Sequence, residues 1–129
     1  MNALQKERQR HHISLKYAVE GIKVAFITQP NFAYHAFFSF MAILFGLFLQ
    51  ISRLEWIIII MTIVIGFAVE MGNTAIEAVV DLVTDSWHKD AKRAKDVAAG
   101  MMLLYAYGSV LIAILVFAPY LLRLVGFAY

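Results

Sequence analysis

The chain has no cysteine in its 129 residues. Disulfides, thiolate metal sites and a cysteine nucleophile are therefore excluded, while the redox compartment stays open. Charge is also scarce: 16% of residues are charged and the formal net charge is +2, against 62% hydrophobic residues. The mean hydropathy is +0.74. A soluble domain is about half apolar, so this composition sets that class aside in favour of a small integral membrane protein. Several motifs are missing as well. No G-x-x-x-x-G-K-[ST] run exists to cradle phosphates, no H-E-x-x-H exists, and the four histidines lack ligand spacing. No convincing Ser/His/Asp arrangement, internal repeat, low-complexity segment or second domain is visible. The N-terminus, with Lys6, Glu7, Arg8, Arg10, His11 and His12, lacks the basic-then-apolar-then-small pattern of a cleaved signal, so the first span is expected to stay.

What is present is long apolar runs. Uncharged stretches extend from Val24 to Ser52 and from Val97 to Leu122, and a third runs from Trp56 to Glu70. A helix needs roughly 20 apolar residues to cross a bilayer, so three spans are expected, at about 32–51, 54–84 and 97–122. The expected fold is an all-α membrane protein forming one domain over 1–129, with a surface helix over about 13–28. The basic residues lie to one side of these spans. Lys6, Arg8, Arg10, Lys16 and Lys23 precede the first, Lys89, Lys92, Arg93 and Lys95 separate the second from the third, and only Arg53 and Arg123 fall elsewhere. By the positive-inside rule the N-terminus and the 85–96 loop are cytoplasmic, as an odd number of spans requires of opposite termini. Nucleic acid is a poor partner for this pattern; anionic headgroups or nucleotide phosphates suit it better.

Along the chain, Ile13 to Thr28 carries a polar stripe of Lys16, Glu20 and Lys23 opposite Ala18, Val19, Ile22, Ala25 and Phe26, and Lys16 can pair with Glu20. The pattern fits a helix lying in the membrane surface or, equally, a solvated helix capping the bundle. Gln29-Pro30-Asn31 ends it, because Pro30 lacks a donor and pushes Gln29 out of helical geometry. His35, one turn into the first span, reads more readily as packing than as catalysis. The short turn from Gln50 to Glu55 makes spans one and two antiparallel neighbours, with Trp56 an interfacial anchor. Thr84 to Asp96 reads as a charged loop. Ala98, Ala99 and Gly100 then permit close helix approach, and Pro119 with the Phe127–Tyr129 end closes the third span.

Span two holds the feature that composition does not explain. Glu70, Asn73, Glu77 and Asp81 recur at i, i+3, i+7 and i+11, which a helix projects in one narrow stripe. Ionisable groups at membrane depth face a bundle interior and mark a site. At about 1.5 Å per residue, Glu70 lies about 24 Å from Leu54 and Glu77 about 10 Å further. With a hydrocarbon core of about 30 Å, Glu70 falls just beneath the cytoplasmic boundary and Glu77 near or beyond it. A lipid headgroup meets the first and a soluble reactant the second. Carboxylates beside phosphates commonly hold Mg²⁺, a carboxylate set back toward lipid can take a proton from a hydroxyl, and Lys95 can offset phosphate charge. These are the parts of a phosphoryl transfer. Carboxylates in membrane helices also mark ion pathways, so proton or ion transport stays open on this reading.

The run E-x-x-N-T-A-I-E-x-x-V-D from Glu70 to Asp81, followed by His88 and by Ala94-Lys95-Asp96, resembles the signature of the small prokaryotic diacylglycerol kinase family, which includes the undecaprenol kinases. The resemblance implies a homotrimer that phosphorylates a lipid alcohol with MgATP at a site built partly between subunits in the cell membrane. It further implies that Glu70 is the catalytic base, that Glu77 binds metal and nucleotide, and that Asn73, Lys95 and Asp96 are active-site positions. Arg10, Tyr17 and the Ser86-Trp87-His88 region match places that contact nucleotide or lipid. Where the family carries a glutamate that partners Glu77 at the metal, this chain has Gln29, a weaker Mg²⁺ ligand. Glu20 or water is the available compensation. Asn31-Phe32 with His35, the turn from Ser52 to Trp56 and Asn73-Thr74-Ala75 look closer to the undecaprenol kinases than to the diacylglycerol kinases. The alternatives are a diacylglycerol kinase, a proton-coupled transport element and a degenerate scaffold weakened by Gln29.

Overall fold

The computed structural model describes residues 15–126, and these form four helices in the order α1 (Leu15–Thr28), α2 (Pro30–Leu49), α3 (Arg53–Val83) and α4 (Lys89–Leu124). Each of the last three is long and apolar enough to cross a membrane. The chain is thus an all-helical, multi-pass membrane protein with a shorter helix ahead of its spans. Few side chains are buried within one copy: Phe48, Leu104 and Leu115 on the spans are 74%, 75% and 67% exposed. Such a surface suits hydrocarbon rather than water.

The junction between α1 and α2 follows from Pro30. Gln29 is extended (φ −109°, ψ 112°), and the proline takes the first helical position, where a missing N–H removes no bond. The Gln29 N–H still reaches back to Ala25 O at 3.0 Å, which satisfies one of the carbonyls left open at the end of α1. Aromatic packing fixes the angle. The ring centroids of Phe26 and Phe32 lie 4.8 Å apart, and each lies within 5.7 Å of Phe67 on α3. With about 0.5–1.5 kcal/mol per aromatic pair, this trio fastens α1 and the start of α2 to α3 one turn before Glu70. Lys16 and Glu20 form no ion pair; among the described residues the ion pairs are Lys92–Asp96 and Lys95–Asp81.

The turn between α2 and α3 is short. Gln50 is left-handed (φ 52°) and Ser52 opens α3 through a capping box, its hydroxyl accepting from the Glu55 N–H while the Glu55 carboxylate accepts from the Ser52 N–H at 2.7 Å. Tyr120 donates to the same carboxylate at 2.7 Å, which ties the C-terminal end of α4 to the start of α3. Ile51, Ile59 and Val116 make the core beneath, with Trp56 against it. Gly46 is required there: a Cβ would stand 2.9 Å from the Trp56 ring.

Two expectations need correction. The charged stretch 84–96 is not a loop throughout; it is a loop only as far as His88, and α4 begins at Lys89, eight residues before Val97. His88 Nδ1 accepts from the Asp90 N–H at 3.2 Å and caps the helix, Asp90 sits in its first turn, and Lys92 pairs with Asp96 one turn on. Local capping and i,i+4 pairing thus support a helix that hydropathy does not register. Pro119 does not close the third span either: it lies inside α4, which continues to Leu124. Membrane helices tolerate proline where neighbouring structure compensates for the lost donor. The expected closing residues 127–129 lie outside the described residues.

Candidate active site

At about 1.5 Å per residue, the 31 residues of α3 and the 36 of α4 run about 46 Å and 54 Å. Both outrun a hydrocarbon core of about 30 Å. Their extensions emerge side by side at the end carrying the 84–88 loop, and the candidate residues lie along this stretch.

Glu70 is fully buried and Asn73 is 5% exposed, while Glu77 is half-buried and Asp81 open. The stripe therefore runs from the protein interior outward, as its depth predicts. Its members are wired together. Asn73 Nδ2 donates to Glu77 Oε1 at 3.0 Å, which turns the amide oxygen the other way. Both Glu70 carboxylate oxygens and Asn73 Oδ1 are buried without a hydrogen-bond partner among the described residues. Burying an unpaired carboxylate is expensive, and an unsatisfied group of this kind points to a donor or cation that arrives with a ligand. Thr74 spends its hydroxyl on Glu70 O at 2.9 Å, so it does not satisfy the Glu70 side chain. Of the small residues on α4, Ala98 is the one that is buried, at 2% exposure; Ala99 and Gly100 are exposed.

Further out, a cavity of about 580 Å³ opens between the end of α3, the 84–88 loop and the first turns of α4. It brings together Ser86, His88, Lys95 and Asp96, four of the positions expected to meet nucleotide, and adds Thr84 and Lys92, which carry no motif signal. Thr84 shapes the loop by bonding to Ser86 O at 3.1 Å. Lys95 is bound to Asp81 across the gap between the helices at 2.5 Å, and Asp96 is paired with Lys92. Asp81 thus anchors α4 and holds the lysine expected to face phosphate. Tyr17 is 75% exposed on α1, and neither it nor Gln29 lines this cavity. Arg10 lies outside the described residues.

Among the described residues no three histidine or acidic side chains converge as a metal cage. Mg²⁺ on a nucleotide takes only one or two protein carboxylates, with phosphate oxygens and water completing its shell. The half-buried Glu77 carboxylate, oriented by Asn73, fits that smaller requirement.

Comparison with known proteins identifies the family. The family model described as "Prokaryotic diacylglycerol kinase" matches residues 16–117, from the first turn of α1 through most of α4. The chain belongs to the prokaryotic diacylglycerol kinase family. It is 39% identical over 115 residues to the undecaprenol kinase of Bacillus subtilis (strain 168), covering 89% of this chain and 94% of that protein. It is 38% identical over 113 residues to the diacylglycerol kinase of Synechocystis sp., covering 87% of this chain and 65% of that longer protein. The diacylglycerol kinase of Haemophilus influenzae is 34% identical over 83 residues, 64% of this chain and 70% of that one. The chain is a membrane lipid kinase, and membership of a kinase family makes ATP its co-substrate.

Proposed function

We propose that this kinase transfers the γ-phosphoryl group of ATP to the hydroxyl of a polyprenol, undecaprenol in preference to diacylglycerol, on the cytoplasmic side of the cell membrane. The observation that carries the site is Glu70, fully buried at membrane depth with both carboxylate oxygens unpartnered among the described residues, two turns inward of Glu77. The preference is supported by the near end-to-end similarity to the Bacillus subtilis undecaprenol kinase.

In the reaction the lipid hydroxyl donates its proton to Glu70 while its oxygen bonds to the γ-phosphorus. The bond to the bridging oxygen breaks and ADP leaves. Asn73 orients Glu77 through its amide N–H and presents Oδ1 to the reactants. Lys95, swung from Asp81, faces the phosphates. Asp96, Ser86, His88, Tyr17 and Arg10 complete the nucleotide contacts. Glu77, and more weakly Gln29, would hold Mg²⁺, which would supply charge neutralisation at the phosphates. The site is shared within a homotrimer. Its formation is supported by Val79, Leu82 and Val83, which are 60%, 86% and 78% exposed on the stretch of α3 that outruns the bilayer.

The deciding experiment presents undecaprenol and diacylglycerol to the purified protein in the same micelles with radiolabelled ATP. Faster transfer to undecaprenol is expected; faster transfer to diacylglycerol reverses the substrate assignment, and transfer to neither removes the proposed reaction. Gln29→Glu is expected to lower the Mg²⁺ concentration needed for half-maximal rate. An unchanged Mg²⁺ dependence would take Gln29 out of the metal site.

A further inference from the structure

The cavity between the end of α3, the 84–88 loop and α4 is lined by two lysines, of which Lys95 belongs to the motif and Lys92 does not. Helix stability does not account for a lysine at position 92. α4 begins at Lys89, so Lys92 lies at the end where the helix dipole favours an acid and disfavours a cation. Its bond to Asp96 at 2.5 Å runs from a base to an acid four positions on, the less favourable order for such pairs. The two side chains are 61% and 60% exposed, and exposed pairs are weak. What the position does provide is a second ammonium on the cavity wall, staggered from the first. Asp81 on α3 meets Lys95 on α4 at 2.5 Å, which sets the two helices in register there. Glu77 lies one turn inward of Asp81. Lys92, three residues before Lys95, lies about 4.5 Å further out at about 1.5 Å of rise per residue. Glu77, Lys95 and Lys92 thus follow one another from the membrane-embedded end outward.

We propose that Lys92 is a nucleotide-binding residue of this kinase, gripping the non-reacting end of the triphosphate while Lys95 faces the reacting end. The inference rests on the proposal that ATP occupies this cavity with its γ-phosphoryl group toward Glu77. In that orientation the α-phosphate and the nucleoside trail outward past Lys92. Both ammoniums are held by carboxylates before nucleotide arrives, Lys95 by Asp81 and Lys92 by Asp96, and the flexible four-carbon stem of each lysine lets it change partner. A polyphosphate carries more charge than the carboxylate it displaces, and it arrives at the end of α4 whose dipole favours anions. The two lysines then do different work. The bond that breaks lies at the γ-phosphorus, so Lys95 meets charge that redistributes during transfer. The α-phosphate is the same in ATP, in the transition state and in ADP. A contact made equally in all three strengthens binding without lowering the barrier. Lys92 therefore sets the affinity for nucleotide, substrate and product alike, and leaves the chemical step alone.

The test measures binding of radiolabelled ATP and ADP, with Mg²⁺ and without lipid substrate, to the full protein in micelles. Transfer kinetics follow, on whichever of undecaprenol and diacylglycerol it phosphorylates faster. Losing a hydrogen bond to a charged group is expected to weaken both nucleotides about tenfold in Lys92→Met, by the same factor, and to raise KM for ATP to match with kcat unchanged. Lys89→Met removes the same charge from the same end of α4, outside the cavity lining, and is expected to leave both affinities unchanged. Lys92→Arg keeps the charge and is expected to restore them. Unchanged affinity in Lys92→Met overturns the inference. So does a fall in kcat at unchanged KM, which would assign Lys92 to the placement of Asp96, and so does equal weakening by Lys89→Met, which would leave only a general surface field. An unaltered protein that phosphorylates lipid yet binds nucleotide with Lys92 unprotected separates this inference from the kinase assignment, and a second measurement without variants reads that directly. ADP is expected to slow acylation of Lys92 by an amine-reactive ester in the unaltered protein while Lys89 reacts at its original rate. A Lys92 that bound ADP does not protect overturns the inference; failure to bind ATP or ADP at all overturns the nucleotide assignment of the cavity beneath it.

Discussion

Replacing Gly66 by alanine sets two effects of opposite sign against each other. Helix propensity alone favours the change: glycine within a helix is about 1 kcal/mol less favourable than alanine. Packing opposes it. A Cβ at Gly66 would stand 2.3 Å from the Tyr105 hydroxyl oxygen and 2.6 Å from the ring carbon bearing it, well inside van der Waals contact. Tyr105 must then retreat. It loses its 2.8 Å bond to Thr62 O and leaves a half-buried hydroxyl unpaired. An orphaned buried donor costs about 1–3 kcal/mol, and overpacking a filled site costs about as much again, about 1–3 kcal/mol. The net expectation is a loss of about 1–5 kcal/mol. Because Glu70 lies one turn further along the same helix, turnover should fall with stability. Unfolding in mixed micelles, titrated with a denaturing detergent and followed by circular dichroism, measures the first; phosphate transfer measures the second. A combined Gly66→Ala, Tyr105→Leu protein should recover part of the loss, since the pair is in contact and its effects are not additive. If Gly66→Ala instead stabilises the protein by about 1 kcal/mol, as propensity predicts, the close approach of α3 and α4 described here is wrong.

Other substitutions probe the ends of the helices and the stripe. Ser52→Ala removes the hydroxyl half of the capping box and should destabilise the bundle by about 1 kcal/mol; no change in the same detergent titration would mean that the Tyr120–Glu55 bond alone holds that corner. Asp81→Asn breaks an exposed ion pair and should alter stability by no more than about 1 kcal/mol, less at high salt. Lys95→Met should lower turnover at least tenfold more than Asp81→Asn does, because the lysine is assigned to phosphate and the aspartate to its placement; equal losses would reverse that division. Asn73→Ala should lower kcat and raise the Mg²⁺ requirement together, as it frees the Glu77 carboxylate, and a change in neither would remove the amide from the site.

Much of this architecture is legible before any coordinates. The three apolar runs announce the spans, and Gln29-Pro30 marks the break between α1 and α2 because proline at a first helical position ends what precedes it. The four-residue stripe declares its own face, and its graded burial follows from depth alone. The start of α4 is hidden because hydropathy sees only the charges of Lys89 to Asp96; the capping by His88 and the Lys92–Asp96 pair that support a helix are local and polar. The Asp81–Lys95 contact joins residues 14 apart across a turn of unknown geometry, so no spacing rule anticipates it. The close approach of α3 and α4 is less legible still. Tyr105, Thr62 and Gly66 acquire meaning only once the two helices are laid together.

Glu70 is proposed to take the proton from the lipid hydroxyl. Glu70→Gln keeps the shape and burial of the side chain and removes its basicity. A positioned general base contributes about 10²–10⁴-fold, so transfer from radiolabelled ATP to undecaprenol should fall by at least about a hundredfold while the protein runs at an unchanged size in detergent. Turnover within about tenfold of the unaltered protein, at that same size, would contradict the account.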